Sequence, residues 1–422
     1  MREMKDSGIE WIGQIPKGWE LRRAKTLFTQ RNSKGNGIEV LLSPTQKYGV
    51  VPQSQLEGVV QVKEDTDLQM FKTVHKGDFV ISLRSFQGGF EYSLYEGVCS
   101  PAYQVFYPTS PICDTYYRYL FKSQSFISKM NNLTVGIREG KNIQYVDFAN
   151  SRIPVPPLAE QERIAVFLDA ECAEIDTVLE KTRASIEEYK KLKQAVITQA
   201  VTKGIRGDRP MKDSGIEWIG DIPKEWDCKK VKYVTSISRG IFNHRPRNDE
   251  RYYGGEYPFI QTGDVAGAQK YIESYSQTLN ELGKSVSKCF PKGTLTMTIA
   301  ANVGDAAILG FDAFFPDSVV GFIPNADIND EYLYYIFKAM KPEFVRTAIK
   351  STQLNLNVER IRDLFVPVVV QKSEQLEIAE YLNTKCAGID ALIAKKQQYL
   401  TETENYKKSL IYEYVTGKKE VV

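Results

Sequence analysis

Two long stretches of the chain carry an apolar residue at every third or fourth position. The first stripe comprises Ile164, Leu168, Cys172, Ile175, Leu179, Ile186, Tyr189, Val196 and Ala200, and the second comprises Ile378, Leu382, Cys386, Ile389, Ile393, Leu400, Leu410 and Tyr414. This spacing predicts two long helices, ended by Gly204 and Gly417. Because a long helix with one apolar stripe needs a partner, we expect the two to pair antiparallel, with Ile175 near Tyr399.

The sequence before each long helix follows a different pattern. In residues 21–157 and 228–369, short alternating stretches are separated by glycine, proline and asparagine. Strands are predicted at residues 77–81 and 293–297, and helices at residues 113–131 and 329–349. The fold class is therefore expected to be mixed α/β (α+β): two strand-rich domains separated by an antiparallel, coiled-coil-like pair of helices.

The chain is an internal repeat, which gives it a pseudo-two-fold organisation. Residues 4–18 read MKDSGIEWIGQIPKG and residues 211–225 read MKDSGIEWIGDIPKE, while residues 160–181 (EQERIAVFLDAECAEIDTVLEK) resemble residues 374–395 (EQLEIAEYLNTKCAGIDALIAK). We call residues 4–19 and 211–226 the tryptophan segments. They contain all four tryptophans of the chain, which we interpret as structural clamps. The offset is 207 residues for the first pair of segments and 214 for the second. Duplication of both segments in the same order indicates two copies of one module.

Composition argues against an enzyme. The 422 residues exceed the size of one hydrophobic core, so several domains are expected. Only His75 and His244 are present, which disfavours general-base, metal or triad chemistry. The six cysteines form no CxxC pair, as expected for a reduced cytoplasm, and the net charge of +2 neither requires nor excludes a polyanionic partner. Neither a membrane-spanning run nor a signal peptide is expected.

These features together resemble the specificity (S) subunits of type I restriction–modification systems. The resemblance rests on the repeated SGIEWIG-x-IP-x-x-W motif, the divergent block, and the P-x-x-EQ-x-x-IA opening of the long helix. The second copy departs from this pattern, since it has Val369-Val370-Gln371 where the first copy has Pro156-Pro157-Leu158. It implies target-recognition domains at residues 1–157 and 206–369. It also implies a central spacer helix within residues 158–205 and a C-terminal spacer helix within residues 370–422.

The resemblance also implies partners and cofactors. The chain would be the non-catalytic targeting subunit of a type I restriction endonuclease and adenine methyltransferase complex, and each domain would read half of a bipartite double-stranded DNA target. The helices would set the gap between the half-sites and dock methyltransferase subunits, expected to number two, which restriction-translocase subunits join. S-adenosylmethionine, ATP and Mg²⁺ would bind those partners and not this chain. The expected location is the prokaryotic cytoplasm, in association with the nucleoid.

DNA contact is expected from exposed loops rich in arginine, lysine, asparagine and glutamine, which match base edges and phosphates. The candidate residues are Arg84, Ser85, Gln87, Arg138, Lys141, Asn142, Arg239, Asn243, Arg245, Arg247, Asn302, Lys350, Gln353 and Asn355. No catalytic or metal-binding residue is predicted. Two alternatives remain open from the sequence alone: a stand-alone nuclease with an unfamiliar site, and a protein-interaction scaffold that does not bind DNA.

Overall fold

The computed structural model describes residues 2–35, 40–56, 68–82, 89–133, 143–300, 302–350 and 354–421. The chain forms two compact units. Unit 1 comprises Met1–Arg183 and Gln398–Val422, and unit 2 comprises Ala184–Gln397. We call residues 21–157 and 228–369 the variable blocks. Each unit therefore contains one tryptophan segment, one variable block and a part of each long helix.

The elements that begin in the first half of the chain are arranged around a central, four-stranded antiparallel sheet. The strands are β1 (Met4–Asp6), β2 (Gln14–Pro16), β3 (Glu20–Arg23), β4 (Phe28–Arg31), β5 (Leu42–Thr45), β6 (Gly49–Pro52), β7 (Lys72–Val74), β8 (Phe79–Ile81), β9 (Phe90–Tyr92), β10 (Gly97–Cys99), β11 (Gln104–Pro108) and β12 (Arg152–Val155). The helices are α1 (Asp114–Lys122), α2 (Gln124–Leu133), α3 (Tyr145–Asn150) and α4 (Leu158–Lys203). The central sheet has the strand order β4-β11-β8-β9.

An aromatic cluster forms the core of unit 1 beneath this sheet. The rings of Phe79 and Phe106 stack with their centroids 5.3 Å apart, and the ring of Phe148 lies 4.6 Å from that of Phe106. Phe121 of α1 contacts the ring of Phe79 edge-on at 5.2 Å. Since each of these rings is buried, the cluster fixes α1 and α3 against the strands.

Unit 2 contains two larger sheets. Its strands are β13 (Met211–Asp213), β14 (Asp221–Pro223), β15 (Asp227–Lys230), β16 (Thr235–Arg239), β17 (Tyr253–Phe259), β18 (Tyr271–Ile272), β19 (Gln277–Leu279), β20 (Cys289–Phe290), β21 (Leu295–Thr298), β22 (Ala306–Leu309), β23 (Ala313–Phe314), β24 (Val319–Pro324), β25 (Ile349–Lys350), β26 (Leu354–Asn355) and β27 (Phe365–Val368). Its helices are α5 (Val231–Val234), α6 (Thr262–Gly267), α7 (Glu281–Ser285), α8 (Asp330–Ala339), α9 (Lys341–Thr347), α10 (Val358–Asp363) and α11 (Lys372–Val415). The sheet orders are β16-β24-β21-β22-β18 and β19-β17-β23-β20.

In both units, the strand that follows the tryptophan segment pairs with the strand that precedes the long helix. β3 pairs antiparallel with β12, and β15 pairs in the same way with β27. Each variable block therefore leaves and rejoins its scaffold at one two-stranded ribbon. This arrangement explains how the blocks differ in sequence while the flanking segments stay alike.

The two long helices occur as predicted and pair antiparallel. In unit 1, Lys407 Nζ lies 2.6 Å from Asp176 Oδ1, and in unit 2, Lys193 Nζ lies 2.6 Å from Asp390 Oδ2. As the residue number rises along α4, the number of its partner on α11 falls, which confirms the antiparallel direction.

The register of the helix pair differs in part from the prediction. The ring of Phe167 packs 4.4 Å from that of Tyr414, whereas the predicted full-length register places residue 407 opposite Phe167, about two helical turns away. The end of α11 is held by the variable block of unit 1, since the Tyr116 hydroxyl donates a hydrogen bond to the Val415 carbonyl at 2.8 Å. The register was predicted by aligning the two repeated helical segments over their full length, which takes no account of this anchor. One groove in unit 1 is still lined by both side chains expected to be neighbours, Ile175 and Tyr399.

Each helix predicted inside a variable block is instead two shorter helices. The predicted helix at residues 113–131 breaks between α1 and α2, where Ser123 has extended backbone angles. The predicted helix at residues 329–349 breaks between α8 and α9, where Pro342 stands in the first turn of α9. Proline lacks the N–H that would continue the preceding helix, which explains the second break. The strands predicted at residues 77–81 and 293–297 are confirmed as β8 and β21.

The glutamate at the start of each long helix binds an arginine just before the tryptophan segment, and in unit 1 it also binds a tryptophan of that segment. Trp19 Nε1 donates to Glu160 Oε2 at 2.9 Å, and Arg2 Nη2 donates to Glu160 Oε1 at 2.6 Å. In unit 2, Arg209 Nη1 donates to Glu374 Oε1 at 2.5 Å. Trp19 is buried, which supports its interpretation as a clamp.

The glutamine that follows each of these glutamates holds the start of one helix of the variable block, α1 in unit 1 and α8 in unit 2. Gln161 Oε1 accepts a hydrogen bond from the Cys113 N–H at 2.9 Å, just before α1. Gln375 Oε1 accepts one from the Asn329 N–H at 2.8 Å, just before α8. The repeated sequence motif is thus a repeated set of hydrogen bonds within each unit.

Candidate nucleic-acid interface

The loop between β16 and β17, residues 240–252, carries the densest group of candidate residues that the structure describes. β16 pairs with β24 up to Arg239, which lies opposite Val320. The next residue, Gly240, lies so close to the chain before β24 that an added Cβ would be 2.3 Å from the Pro316 carbonyl oxygen and 2.4 Å from that of Phe315. Only glycine permits this approach, and it sets the direction in which the loop leaves the sheet.

Three arginines of this region converge on Asp317, in the turn before β24. Arg239 Nε donates to the main-chain carbonyl of Asp317 at 2.5 Å. The Asp317 carboxylate accepts a hydrogen bond from Arg247 and lies 3.6 Å from Nη2 of Arg245. We call these residues, Arg239, Arg245, Arg247 and Asp317, the arginine cluster. It places three positive charges around one negative charge.

Aromatic side chains support the loop from below. Phe242 is buried, and its ring stacks on that of Tyr253 with centroids 5.7 Å apart. The Tyr253 hydroxyl donates to the Arg247 carbonyl. The rings of His244 and Tyr252 stack at 3.9 Å. These contacts give an exposed basic loop a packed base.

A second acidic residue of the loop, Asp249, is a carboxylate whose negative charge is balanced by neighbouring side chains. Its carboxylate accepts hydrogen bonds from the Arg251 guanidinium, with the shortest at 2.7 Å, and lies 2.9 Å from Nε2 of His244. The Arg251 hydrogen bonds, followed by the backbone N–H of that residue and by His244, keep the pKa of Asp249 below its ordinary value. Lys288 adds a further positive charge next to β16, because its Nζ donates to Ser238 Oγ at 2.6 Å.

Four predicted residues therefore lie in or beside one loop: Arg239, Asn243, Arg245 and Arg247. All four are exposed, and the Asn243 N–H donates to the Val286 carbonyl at 3.1 Å. Asn302 is also exposed, but it belongs to the separate turn between β21 and β22.

The remaining predicted residues cannot be placed in a site. Arg84, Ser85, Gln87, Arg138, Lys141, Asn142 and Gln353 lie outside the described residues. The backbone of Lys350 and Asn355 belongs to the hairpin of β25 and β26.

Sequence reasoning missed Asp317 and Lys288. Asp317 is seventy positions from Arg247 in the chain, and only the pairing of β16 with β24 brings the two together.

Among the described residues, no group of three or more histidine, cysteine, aspartate or glutamate side chains could hold a metal ion. In the same part of the chain, no helix combines the length and apolar character needed to cross a membrane.

Comparison with known proteins decides the family. Residues 16–188 and 223–402 match the model of the type I restriction modification DNA specificity domain. The chain belongs to this specificity family. Its two matched segments correspond to the two copies of the repeat, so the family resemblance expected from the sequence is confirmed.

Individual relatives agree with this assignment. The chain is 23% identical over 431 residues to the type I restriction enzyme MjaX specificity subunit of Methanocaldococcus jannaschii, covering 96% of this chain and 95% of that protein. It is 30% identical over 187 residues to the MjaIX specificity subunit of the same organism, covering 43% of this chain and 41% of the relative. The StySPI specificity subunit of Salmonella potsdam is 32% identical over 211 residues, covering 47% of this chain and 44% of that protein.

Solved structures share the fold. A chain from a structure that describes complex assembly and conformational transition of the type I R-M system matches with a TM-score of 0.74 and 16% identity, covering 96% of this chain and 99% of that chain. The HsdS subunit of Thermoanaerobacter tengcongensis matches with a TM-score of 0.53 and 16% identity, covering 99% of this chain and all of that subunit. These matches support the expected two-domain fold with long spacer helices.

Proposed function

We propose that this chain directs a type I restriction–modification complex to a bipartite DNA sequence, with each variable block reading one half-site. Family membership supports the role in DNA target recognition, and the internal repeat supports two readers. The observation that carries the proposal is the arginine cluster, an exposed group of guanidinium donors on a packed loop of unit 2. The chain acts as a targeting subunit and not as a catalyst, as its family does.

The chemistry of the loop suits the major groove of DNA. An arginine guanidinium donates two hydrogen bonds to O6 and N7 of guanine, and arginine or lysine also binds phosphate. The side chains of Arg245 and Arg247 are 55% and 47% exposed, so both can reach a duplex. We assign base reading to this loop and backbone contact to neighbouring basic residues such as Lys288.

The helix pair provides surfaces for the methyltransferase subunits. Apolar and aromatic side chains remain about half exposed in the middle of both long helices, including Leu192 and Leu392 in unit 2 and Tyr399 and Tyr406 in unit 1. The groove in unit 1 also contains three glutamates, Glu171, Glu174 and Glu402. An amphipathic helix with basic flanks would complement such a surface. Because both units expose such side chains, we propose that two methyltransferase subunits bind.

The proposed role as specificity subunit also determines where the cofactors of the complex bind. The specificity subunit is the cofactor-free part of such a complex. We therefore assign S-adenosylmethionine to the methyltransferase subunits, and ATP and Mg²⁺ to the restriction subunits that join them. The long helices set the gap between the half-sites. A complex that acts on chromosomal DNA works in the cytoplasm of a prokaryotic cell, next to the nucleoid.

The arginine loop is tested by substitution. We expect Arg245→Ala to weaken binding of the cognate duplex by about 1–3 kcal/mol and to relax selectivity at one position of one half-site. Selectivity is measured by sequencing the duplexes bound from a randomised pool by the chain in complex with its methyltransferase. Arg346→Ala is the matched control, since it removes an equal charge from an arginine of unit 2 that pairs with Glu343 outside the loop. Unchanged affinity and selectivity in Arg245→Ala would remove the loop from the proposed interface.

A further inference from the structure

The centre of the arginine cluster is an acidic residue, although a nucleic-acid surface is expected to be basic. We propose that Asp317 is a positioning residue for sequence reading by unit 2: it holds the guanidinium groups of Arg239, Arg245 and Arg247 in one fixed arrangement. This inference rests on the proposed function of the loop. It goes beyond that function by naming the residue on which selectivity, as distinct from affinity, depends.

The charge of Asp317 argues for this role. A carboxylate near the DNA backbone repels phosphate, so it weakens binding to every sequence alike. A surface built for affinity alone gains nothing from it. The same carboxylate restricts long arginine side chains to one geometry, and a guanidinium distinguishes bases only when its planar fork is correctly oriented.

The scaffold around Asp317 is suited to positioning. The residue follows Phe315 and Pro316, both buried, and the turn is closed by a hydrogen bond of 3.0 Å from the Val319 N–H to the Pro316 carbonyl. The main-chain carbonyl of Asp317 binds Arg239, while its carboxylate faces the other two arginines. Asp317 is itself one-third exposed, so the cluster forms at the surface.

Arg245 shows what the arrangement achieves. Its Nη1 donates to the main-chain carbonyls of Phe242 and His244, each at 2.7 Å. Both protons of that nitrogen are thereby engaged, which leaves the edge formed by Nε and Nη2 as the fork for a guanine. The Asp317 carboxylate lies 3.6 Å from Nη2, beyond hydrogen-bond distance, so its charge attracts the guanidinium without taking a proton of this fork. The geometry selects one edge of Arg245 for base contact.

The test compares Asp317→Asn with wild type in the full chain bound to its methyltransferase. Affinities are measured for the cognate duplex, for duplexes with single base changes in each half-site, and for unrelated DNA. For base changes in the half-site read by unit 2, we expect the ratio of cognate to changed-duplex affinity to be about tenfold smaller in Asp317→Asn than in wild type. Affinity for unrelated DNA should stay equal or rise, because a negative charge has been removed. Discrimination in the other half-site should be retained, which also shows that the variant is folded and assembled.

Two further variants make the outcome decisive. Glu256→Gln removes one exposed carboxylate from β17 and should leave discrimination unchanged. Asp317→Glu keeps the charge but moves it outward, and should also lose discrimination.

If Asp317→Asn raised affinity for all duplexes equally and kept full discrimination, the positioning role would be refuted. If Arg245→Ala changes selectivity but Asp317→Asn does not, only this inference fails. If neither does, the proposed function of the loop fails as well.

Discussion

Two equivalent tryptophans, Trp19 and Trp226, occupy matching places in their units but differ in one hydrogen bond. Both are buried, and each faces a glycine that follows a long helix, Gly417 for Trp19 and Gly204 for Trp226. Trp19 donates to the Glu160 carboxylate, whereas the indole N–H of Trp226 has no hydrogen-bond partner among the described residues. The pair therefore isolates the contribution of one charge-assisted hydrogen bond.

We predict that Trp19→Phe destabilises the protein by about 1–2 kcal/mol more than Trp226→Phe. Both substitutions remove similar apolar volume, but only the first leaves a partly buried carboxylate oxygen without its tryptophan donor. Denaturant unfolding, monitored for each variant against wild type, measures the difference. Equal losses, or a larger loss for Trp226→Phe, would show that the hydrogen bond to Glu160 contributes nothing.

Glu91 of β9 is a buried carboxyl group that links stability to pH. Its side chain is 1% exposed, and its Oε1 accepts a hydrogen bond of 2.6 Å from Lys122 Nζ. Burial raises the pKa of Glu91 to about 7 and outweighs the opposing effect of Lys122. Between the ordinary pKa of 4.5 and this value, the folded protein binds more protons than the unfolded chain. Stability must therefore fall as the pH rises through this range.

We predict that Glu91→Gln reduces this fall, because glutamine does not titrate. The contribution of Glu91 to the difference in unfolding free energy between pH 5 and pH 8 should be on the order of 2–3 kcal/mol. Glu20→Gln, at an exposed position of the same unit, is the control and should keep the wild-type dependence. A Glu91→Gln profile that coincides with that of wild type would contradict the pKa assignment.

At the level of secondary-structure elements, the long helices were predicted to within two residues at each end because their apolar periodicity persists over many turns. The shorter helices of the variable blocks were predicted too long, since the break at Ser123 has no proline or glycine to mark it. The arginine-rich loop was found from its composition. Asp317 was not, because strand pairing between distant segments determines its position and no local pattern records it.

The exposed tyrosines of the helix pair lead to a prediction on assembly. We expect the double substitution Tyr399→Ala and Tyr406→Ala to weaken binding of the methyltransferase by at least about tenfold, as aromatic anchors at interfaces do. Stability should change by no more than about 1 kcal/mol for the two substitutions together, because both side chains are half exposed.

Analytical ultracentrifugation or titration calorimetry with the purified methyltransferase measures this effect. Tyr233→Ala is the matched control, because Tyr233 is 63% exposed but lies outside the long helices. Equal binding by the double variant and wild type would exclude this surface of unit 1 as a docking site.

For the whole molecule, the repeat supports the proposal that one chain reads two sequences. Each unit has an equivalent two-stranded ribbon, a tryptophan segment and the same contact from the glutamine of the long helix, while the block that they hold differs. Recognition can therefore change in one block without disturbing the scaffold of either unit. The division into two units places parts of both long helices in each, which a description of the domains as consecutive segments does not capture.

The most direct test of two independent readers is exchange of the second variable block. Residues 228–369 are replaced by the corresponding block of another family member, and the gene is expressed with its methyltransferase in a host that lacks such modification. Sequencing the methylated bases of the genome then gives the target. We predict a bipartite motif in which one half is new while the other half is that of the wild-type chain. A change in both halves, a change in neither, or a continuous motif without a gap would contradict the account.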